Sequence, residues 1–207
     1  MYFQALATDY DGTLAKDGQV SEATLEALRR LKETGRRLIL VSGRERADLL
    51  RVFTRFELFD RLVLENGAVL IRPGASDLLL ADPPPQALID RLRERRVSPL
   101  SWGDVIVSSW EPNETVVLET IRELGLEHQV IFNKGAVMVL PPGINKATGI
   151  RAALKDLRLS PHNVVGIGDA ENDVAFLNVC GCAVAVANAL PSIKETGGPS
   201  GLPVFVV

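Results

Sequence analysis

The sequence predicts an α/β fold: a doubly wound, mostly parallel sheet carrying a small inserted α-β-β-α-β-β unit. Three observations carry this reading. Short apolar runs alternate with helical stretches toward both ends of the chain, the pattern of strands joined by crossover helices. Between residues 81 and 143 that alternation stops, and Asp82-Pro83-Pro84-Pro85 and Pro141-Pro142-Gly143 bound the interruption. Polar clusters then fall at the ends of three strands, where open α/β sheets bind ligands.

Each element has its own signal. Tyr2, Phe3 and Gln4 lead into a mostly apolar run over residues 3–8, read as a buried strand ending at Asp9. Ser21 is an N-cap for a helix with Thr24, Leu25, Leu28 and Leu31 at helical spacing and Gly35 as its stop. Residues 37–41 form the second strand, ending at Ser42, and residues 46–53 the next helix. Residues 62–64 are a third strand, and Asn66-Gly67 suits a two-residue hairpin turn into residues 69–71, because both residue types tolerate positive φ. The insert reads as a helix over residues 86–95, a β-rich stretch over 99–110, a helix over 112–124, and strands over 129–132 and 136–140 joined by Asn133-Lys134-Gly135. Alternation resumes with a helix over 146–157, a strand over 163–167, a helix over 171–178, a strand over 182–187 and a short helix near Leu190. The predicted layout is therefore a core of residues 1–80 and 144–207 with an inserted domain of residues 81–143.

Composition narrows the function classes. With 26 acidic and 23 basic residues the net charge is −3, which supplies no field for nucleic acid or an anionic membrane surface. No apolar run reaches the ~18 residues of a membrane helix, and Asp9 and Asp11 stand where a secretory signal would be apolar. Two cysteines make no disulfide framework, so a reducing cytoplasm is the expected compartment. Cys180 and Cys182 read as small buried hydrophobes.

The strand ends hold Asp9-Tyr10-Asp11-Gly12-Thr13, Ser42-Gly43-Arg44 and Gly168-Asp169-Ala170-Glu171-Asn172-Asp173, and Lys146 opens the helix after the insert. Four carboxylates at one sheet edge repel one another. A divalent cation resolves this, and oxygen donors point to Mg²⁺. A lysine beside a strand-end Ser-Gly pair suits a phosphate dianion. Competing readings of single motifs fail. In an EF-hand loop starting at Asp9, Gly12 falls at the wrong position and Val20 stands where Glu is needed. Gly166-Ile167-Gly168 lacks the third glycine of a dinucleotide fingerprint, and no Walker A sequence is present.

In order and placement these motifs resemble the haloacid dehalogenase (HAD) superfamily of phosphatases. Asp9-Tyr-Asp11-Gly-Thr13 matches its first motif, Ser42 its second, Lys146 its third, and Gly168-Asp169 with Asn172-Asp173 its fourth. The resemblance implies a Rossmann-like core and hydrolysis of a small phosphorylated metabolite, such as a sugar phosphate or phosphoglycolate. Asp9 is then the nucleophile that forms an aspartyl-phosphate, and Asp11 the general acid and base. Asp9, Asp169 and the Asp11 carbonyl hold Mg²⁺, while Asp173 orients the metal's waters or binds Lys146. Ser42 and Lys146 bind the phosphoryl oxygens, supported by Thr13, Gly43 and Asn172, and Arg44 is a further anion contact. A phosphomutase, or a non-catalytic phosphate-binding domain of a larger protein, remains the alternative.

Spacing locates the insert. Twenty-eight residues separate Thr13 from Ser42, room for one helix and one strand, whereas 103 separate Ser42 from Lys146. The insert thus follows the third strand, as in the family's second cap class of small α/β lids, and Asn66 lies in the segment leading to it. Trp102, Trp110 and Met138 read as core of that unit, and Arg91, Arg93, Arg95 and Arg96 as a solvated helix face. The Asn133-Lys134-Gly135 turn has a tip that reaches the site when such a lid closes. His128 and His162 have no partner at ligand spacing. At its C-terminal end the chain departs from the family: after Glu195 come Gly197, Gly198, Pro199 and Gly201, with residues 204–207 as an edge strand, where the family has a strand and a closing helix.

Overall fold

The structure is a computed structural model that describes residues 3–195 and 204–206. The expectations placed on Tyr2, on the glycines of residues 197–201 and on Val207 lie outside them.

Five segments have both of their faces covered, as parallel strands require. They are β1 (Ala5–Asp9), β2 (Arg37–Val41), β3 (Arg61–Leu64), β10 (Val164–Gly168) and β11 (Cys182–Ala185). The large sheet also takes in β4 (Val69–Ile71), β5 (Leu78–Leu79) and the edge strand β12 (Val204–Val206), in the order β12-β11-β10-β1-β2-β3-β4-β5. All its pairs are parallel except β3–β4 and β4–β5. The order reverses between β1 and β10, and a sheet of this kind opens its ligand crevice at that switch.

Side-chain alternation explains the two layers of helices. On β2, Leu38 and Leu40 join one apolar cluster with Leu25 and Leu28 of α1 (Glu22–Glu33) and Leu49 of α2 (Arg46–Val52). Ile39 and Val41 face the other way, into a cluster with Ile150, Ala153 and Leu154 of α5 (Lys146–Leu157) and Phe176 and Leu177 of α6 (Val174–Leu177). A one-residue slip would reverse both sets, so burial on both faces sets the register. The caps are those the sequence marks. Ser21 accepts the Thr24 N–H at 3.1 Å, and Gly35, at φ +81°, follows the C-terminal end of α1.

A second, antiparallel sheet holds β6 (Leu100–Trp102), β7 (Val107–Trp110), β9 (Ala136–Leu140) and β8 (Gln129–Asn133), in that order. Its Val107, Val137 and Val139 pack on Leu88, Ile89 and Leu92 of α3 (Gln86–Glu94) and on Val117 and Ile121 of α4 (Glu114–Glu123). The opposite face of this sheet turns toward the ends of the large one. Arg91, Arg93 and Arg95 form the solvated face the sequence predicts, pairing with Glu94, Asp90, Glu119 and Glu123.

Three local expectations need correction. The Asn66-Gly67 turn is not a two-residue hairpin: Leu64 pairs with Val69 across four residues, of which Glu65, Asn66 and Gly67 form a 3-10 turn, all three at positive φ. Its cause is the inward pull on Glu65 described below. The helix expected over 171–178 is a 3-10 turn, Glu171–Asp173, followed by the single turn of α6, because Asp173 folds back onto the N–H groups of Asp169 and Ala170. Trp102 and Trp110 are not core. Trp102 is 41% exposed at the edge of the helix-packed face, opposite Val107 and under Arg93 of α3, and Trp110 is 52% exposed on the face away from α3 and α4. Met138 is buried as expected, but on that same outer face.

Candidate active site

The C-terminal ends of β1 and β10 bring the first and last motifs together. Asp9, Asp169 and Asp173 are each at most 4% exposed, and one oxygen from each lies within 4.8 Å of the others. Gly12 permits this approach: its φ is +89°, and a Cβ there would stand 2.3 Å from an Asp169 carboxylate oxygen. Thr13 Oγ1 donates to Asp169 Oδ1 at 3.4 Å. Asn188, which no motif spacing marks, donates its Nδ2 to the Gly12 carbonyl at 2.7 Å and so fixes the loop from the β11 side.

Lys146 neutralises the cluster. Its Nζ lies 2.6 Å from Asp9 Oδ1 and 2.6 Å from Asp173 Oδ1. A lysine at a helix N-terminus opposes the helix dipole, so these carboxylates hold it there. The helix start is set by Asn145, whose side chain accepts the N–H groups of Ala147 and Thr148. Gly67 seats this helix start on the β3–β4 turn. Its φ is +105°, and a Cβ would come within 1.9 Å of the Asn145 carbonyl oxygen.

The electrostatics follow from burial. Burial pushes the Asp9 carboxyl up to about 7, with Lys146 opposing the rise and Asp173 and Asp169 adding to it. Burial works against the Lys146 ammonium, but Asp173 and Asp9 outweigh it and its pKa is raised. The two shifts pull the pair in opposite senses. The ion pair therefore forms as pH rises through the Asp9 range, and Asp9 is the member that gains a proton on acidification.

The remaining predicted residues surround this cluster. Ser42, 1% exposed at the end of β2, accepts the Arg44 N–H at 3.1 Å. Arg44 grips both oxygens of Asp11, at 2.7 and 2.9 Å, and pairs with Asp48, and these bonds raise its own pKa. The Asp11 carboxylate therefore lies outside the three-carboxylate group, and only its main-chain oxygen faces Asp169. Asn172 Nδ2 donates to Asn66 Oδ1 at 3.4 Å, and the buried Asn172 Oδ1 has no partner among the described residues.

Asp9, Asp11, Gly43, Arg44 and Asn172 open onto a cavity of about 510 Å³, whose far wall is Ser108, Trp110, Ala136 and Met138 of the small sheet. Strand alternation places that wall. On β7 Val107 and Ser109 are buried, so Ser108 and Trp110 take the opposite face.

Two residues gain a place that sequence reasoning did not assign. Lys134, expected in a turn whose tip reaches the site but given no partner there, sends its Nζ to Asp169 Oδ2 at 2.8 Å and to the Asp11 carbonyl at 3.2 Å. Glu65, 1% exposed, accepts the N–H groups of Asp104, Val105 and Ile106 at 2.8–2.9 Å and so fastens the loop after β6 to the β3–β4 turn. The signal was present as a lone acid inside Leu62-Val63-Leu64-Glu65-Asn66-Gly67-Ala68-Val69. Burial raises its pKa while the three N–H groups oppose the rise. Glu65→Gln turns an amide N–H₂ toward those donors. It is expected to cost about 2 kcal/mol and to speed amide exchange at residues 104–106, read by hydrogen exchange with mass spectrometry. Unchanged exchange there would count against the fastening role.

Comparison with known proteins agrees with this architecture. The sequence profile of the haloacid dehalogenase-like hydrolases matches residues 6–94 and 107–197. A phosphoglycolate phosphatase of Methanothermobacter thermautotrophicus is 29% identical over 201 residues, covering 93% of this chain and 89% of that protein. Phosphoglycolate phosphatase 2 of Saccharolobus solfataricus is 28% identical over 223 residues, covering 98% and 89%. A solved haloacid dehalogenase-like hydrolase from Bacteroides thetaiotaomicron superposes with a TM-score of 0.78 at 20% identity over 93% of this chain and 91% of its own, a likeness of fold.

Proposed function

We infer that this chain, which belongs to the haloacid dehalogenase-like hydrolases, is a Mg²⁺-dependent phosphomonoester hydrolase of small phosphorylated metabolites, with phosphoglycolate the first substrate to try. The observation that carries the reading is Asp9: a buried carboxylate at a strand end, charge-paired with Lys146 at 2.6 Å and open to a cavity of about 510 Å³. That volume suits a metabolite rather than a polymer. The names of the relatives supply phosphoglycolate, and a short molecule with a phosphate dianion and a carboxylate fits the cationic groups Lys146, Arg44 and Lys134 on the cavity wall.

The donor set fits a hard divalent cation. Asp9, Asp169 and Asp173 present carboxylate oxygens in one group, and Asp169 with the Asp11 carbonyl already holds a cation, the Lys134 ammonium. Asp9, Asp169 and the Asp11 carbonyl would hold Mg²⁺, with Asp173 behind them on Lys146. When bound, Mg²⁺ supplies positive charge against the phosphoryl oxygens and reduces the repulsion between nucleophile and substrate.

The chain's own residues do the rest. Asp9 attacks phosphorus through a carboxylate oxygen while the ester P–O bond breaks, and Asp11 gives a proton to the departing alkoxide. Water then attacks the aspartyl-phosphate, Asp11 takes its proton, and phosphate leaves with Asp9 restored. Asp11 is free for this only once Arg44 lets go of its carboxylate, and an incoming anion offers Arg44 another partner. Lys146 and the Ser42 hydroxyl neutralise and bind the phosphoryl oxygens, with Gly43, Thr13 and Asn172 shaping the cradle. Residues 81–143 form the cap over this core of residues 1–80 and 144–207, a lid that selects substrate and excludes water.

The test is phosphate release from 2-phosphoglycolate and a panel of sugar phosphates, with Mg²⁺ and after its removal by EDTA. Turnover that needs the metal is expected. A protein that binds Mg²⁺ and releases phosphate from none of them would overturn the reading.

A further inference from the structure

The hairpin between β8 and β9 ends in a sharp tip at Lys134 and Gly135, with φ of +50° and +83°. The pairing below it is unbroken, from Gln129 opposite Leu140 to Asn133 opposite Ala136, so the tip is carried on a rigid ladder. From that tip Lys134 crosses to the large sheet. Its ammonium makes two contacts, 2.8 Å to Asp169 Oδ2 and 3.2 Å to the Asp11 main-chain oxygen. Both oxygens belong to the set that suits a divalent cation. A Mg²⁺ ion takes such oxygens at about 2.1 Å and demands a near-octahedral shell. An ammonium already on the same lone pairs blocks that shell sterically and by charge.

We propose that Lys134 is a tethered cation that competes with the divalent metal for Asp169 and the Asp11 carbonyl, so that metal entry releases the hairpin of the small sheet from the strand ends. Lys134 is then a positioning residue. It holds the small sheet over the site through the very oxygens the metal needs, and it couples metal occupancy to the approach of substrate. The geometry suits reversible exchange. The Lys134 side chain is half exposed, so its ammonium leaves for water without stranding a buried charge. Asp169 meets Thr13 through Oδ1, the oxygen that Lys134 does not contact. The tip also lies against Trp110: a Cβ on Gly135 would be 3.6 Å from the indole ring. Trp110 in turn lines the cavity, so release of the tip alters its surroundings.

This inference rests on the metal reading above, and the experiment separates the two. Mg²⁺ binding is measured by titration calorimetry on the wild type and on Lys134→Met, Lys134→Arg and Arg51→Met. Lys134→Met is expected to bind Mg²⁺ about tenfold more tightly, the worth of one lost charge-assisted contact. Lys134→Arg is expected to stay near wild type. Arg51, a cavity cation paired with Asp48 rather than Asp169, controls for overall charge, and its replacement should change affinity little. In a Trp102→Phe background Trp110 is the only tryptophan left. There Mg²⁺ should shift the emission, and Lys134→Met should remove the shift. Equal affinity in wild type and Lys134→Met, equal tightening by Arg51→Met, or the same emission shift with and without Lys134 would overturn the competition and leave the metal site standing. No Mg²⁺ binding by any of the proteins would overturn both.

Discussion

Asp9→Asn is expected to lower kcat by about 10⁴- to 10⁶-fold, the usual loss when a nucleophile is removed, while leaving the protein folded and no less stable. Asn keeps the shape, and its Oδ1 still accepts from Lys146, which keeps Asp173 as a partner. The pH dependence of stability carries the stronger prediction. The Asp9 carboxyl is raised to about 7 in the folded protein from 3.8 as the reference, chiefly by burial. Between those values the folded state holds a proton that the unfolded chain has released. The wild type therefore loses stability from this group as pH rises from about 4 to 7, and the variant does not. Melting curves at pH 4.5 and pH 8 test this. Wild type and variant should melt together at the acid value, with the variant a few degrees higher at pH 8. Trapping of a phosphoryl group on the protein is expected for wild type and absent from the variant. Retained turnover in Asp9→Asn would remove Asp9 from the chemistry.

Lys146→Met should have the largest effect on stability. The ammonium is 3% exposed and its two carboxylate partners 5% and 0%. Removing one member of such a group leaves uncompensated buried charge and costs about 3–5 kcal/mol, a fall in Tm of roughly 10 °C for a chain of this size. Activity should disappear with it. The sign against pH separates charge from packing. Asp9 loses the one neighbour that opposes its rise, so the variant's carboxyl is raised further. The destabilisation is then greatest at pH 8 and shrinks as acidification neutralises Asp9. Adding Asp9→Asn to Lys146→Met should return part of the lost stability at pH 8, because the two sites are in contact. An equal fall in Tm at both pH values would show that lost packing dominates.

The misreadings share one physical origin. Asn66-Gly67 has the turn chemistry of a two-residue hairpin, but Glu65 is drawn inward by three N–H groups about 40 residues away, and the turn takes four residues. Apolar area puts Trp102 and Trp110 in a core, yet Trp102, opposite Val107 at the end of β6, stays partly exposed under Arg93, and alternation along β7 turns Trp110 to the other face, where it walls the cavity. In each case a contact between segments distant in sequence overrode a local preference.

By itself the sequence determined the strands, the helices and the residues able to do the chemistry. These follow from local physics: period-two alternation, N-caps such as Ser21 and Asn145, and polar residues stationed at strand ends. Only the tertiary structure decided how those residues are used. It turned the Asp11 carboxylate to Arg44 and its carbonyl toward Asp169, buried Lys146 between two acids, fastened the insert through Glu65 and set Lys134 on the acidic cluster. Each of these contacts pairs charges or hydrogen-bonding groups from remote parts of the chain. The energy of such a pair depends on distance and burial, and those exist only once the sheets have packed.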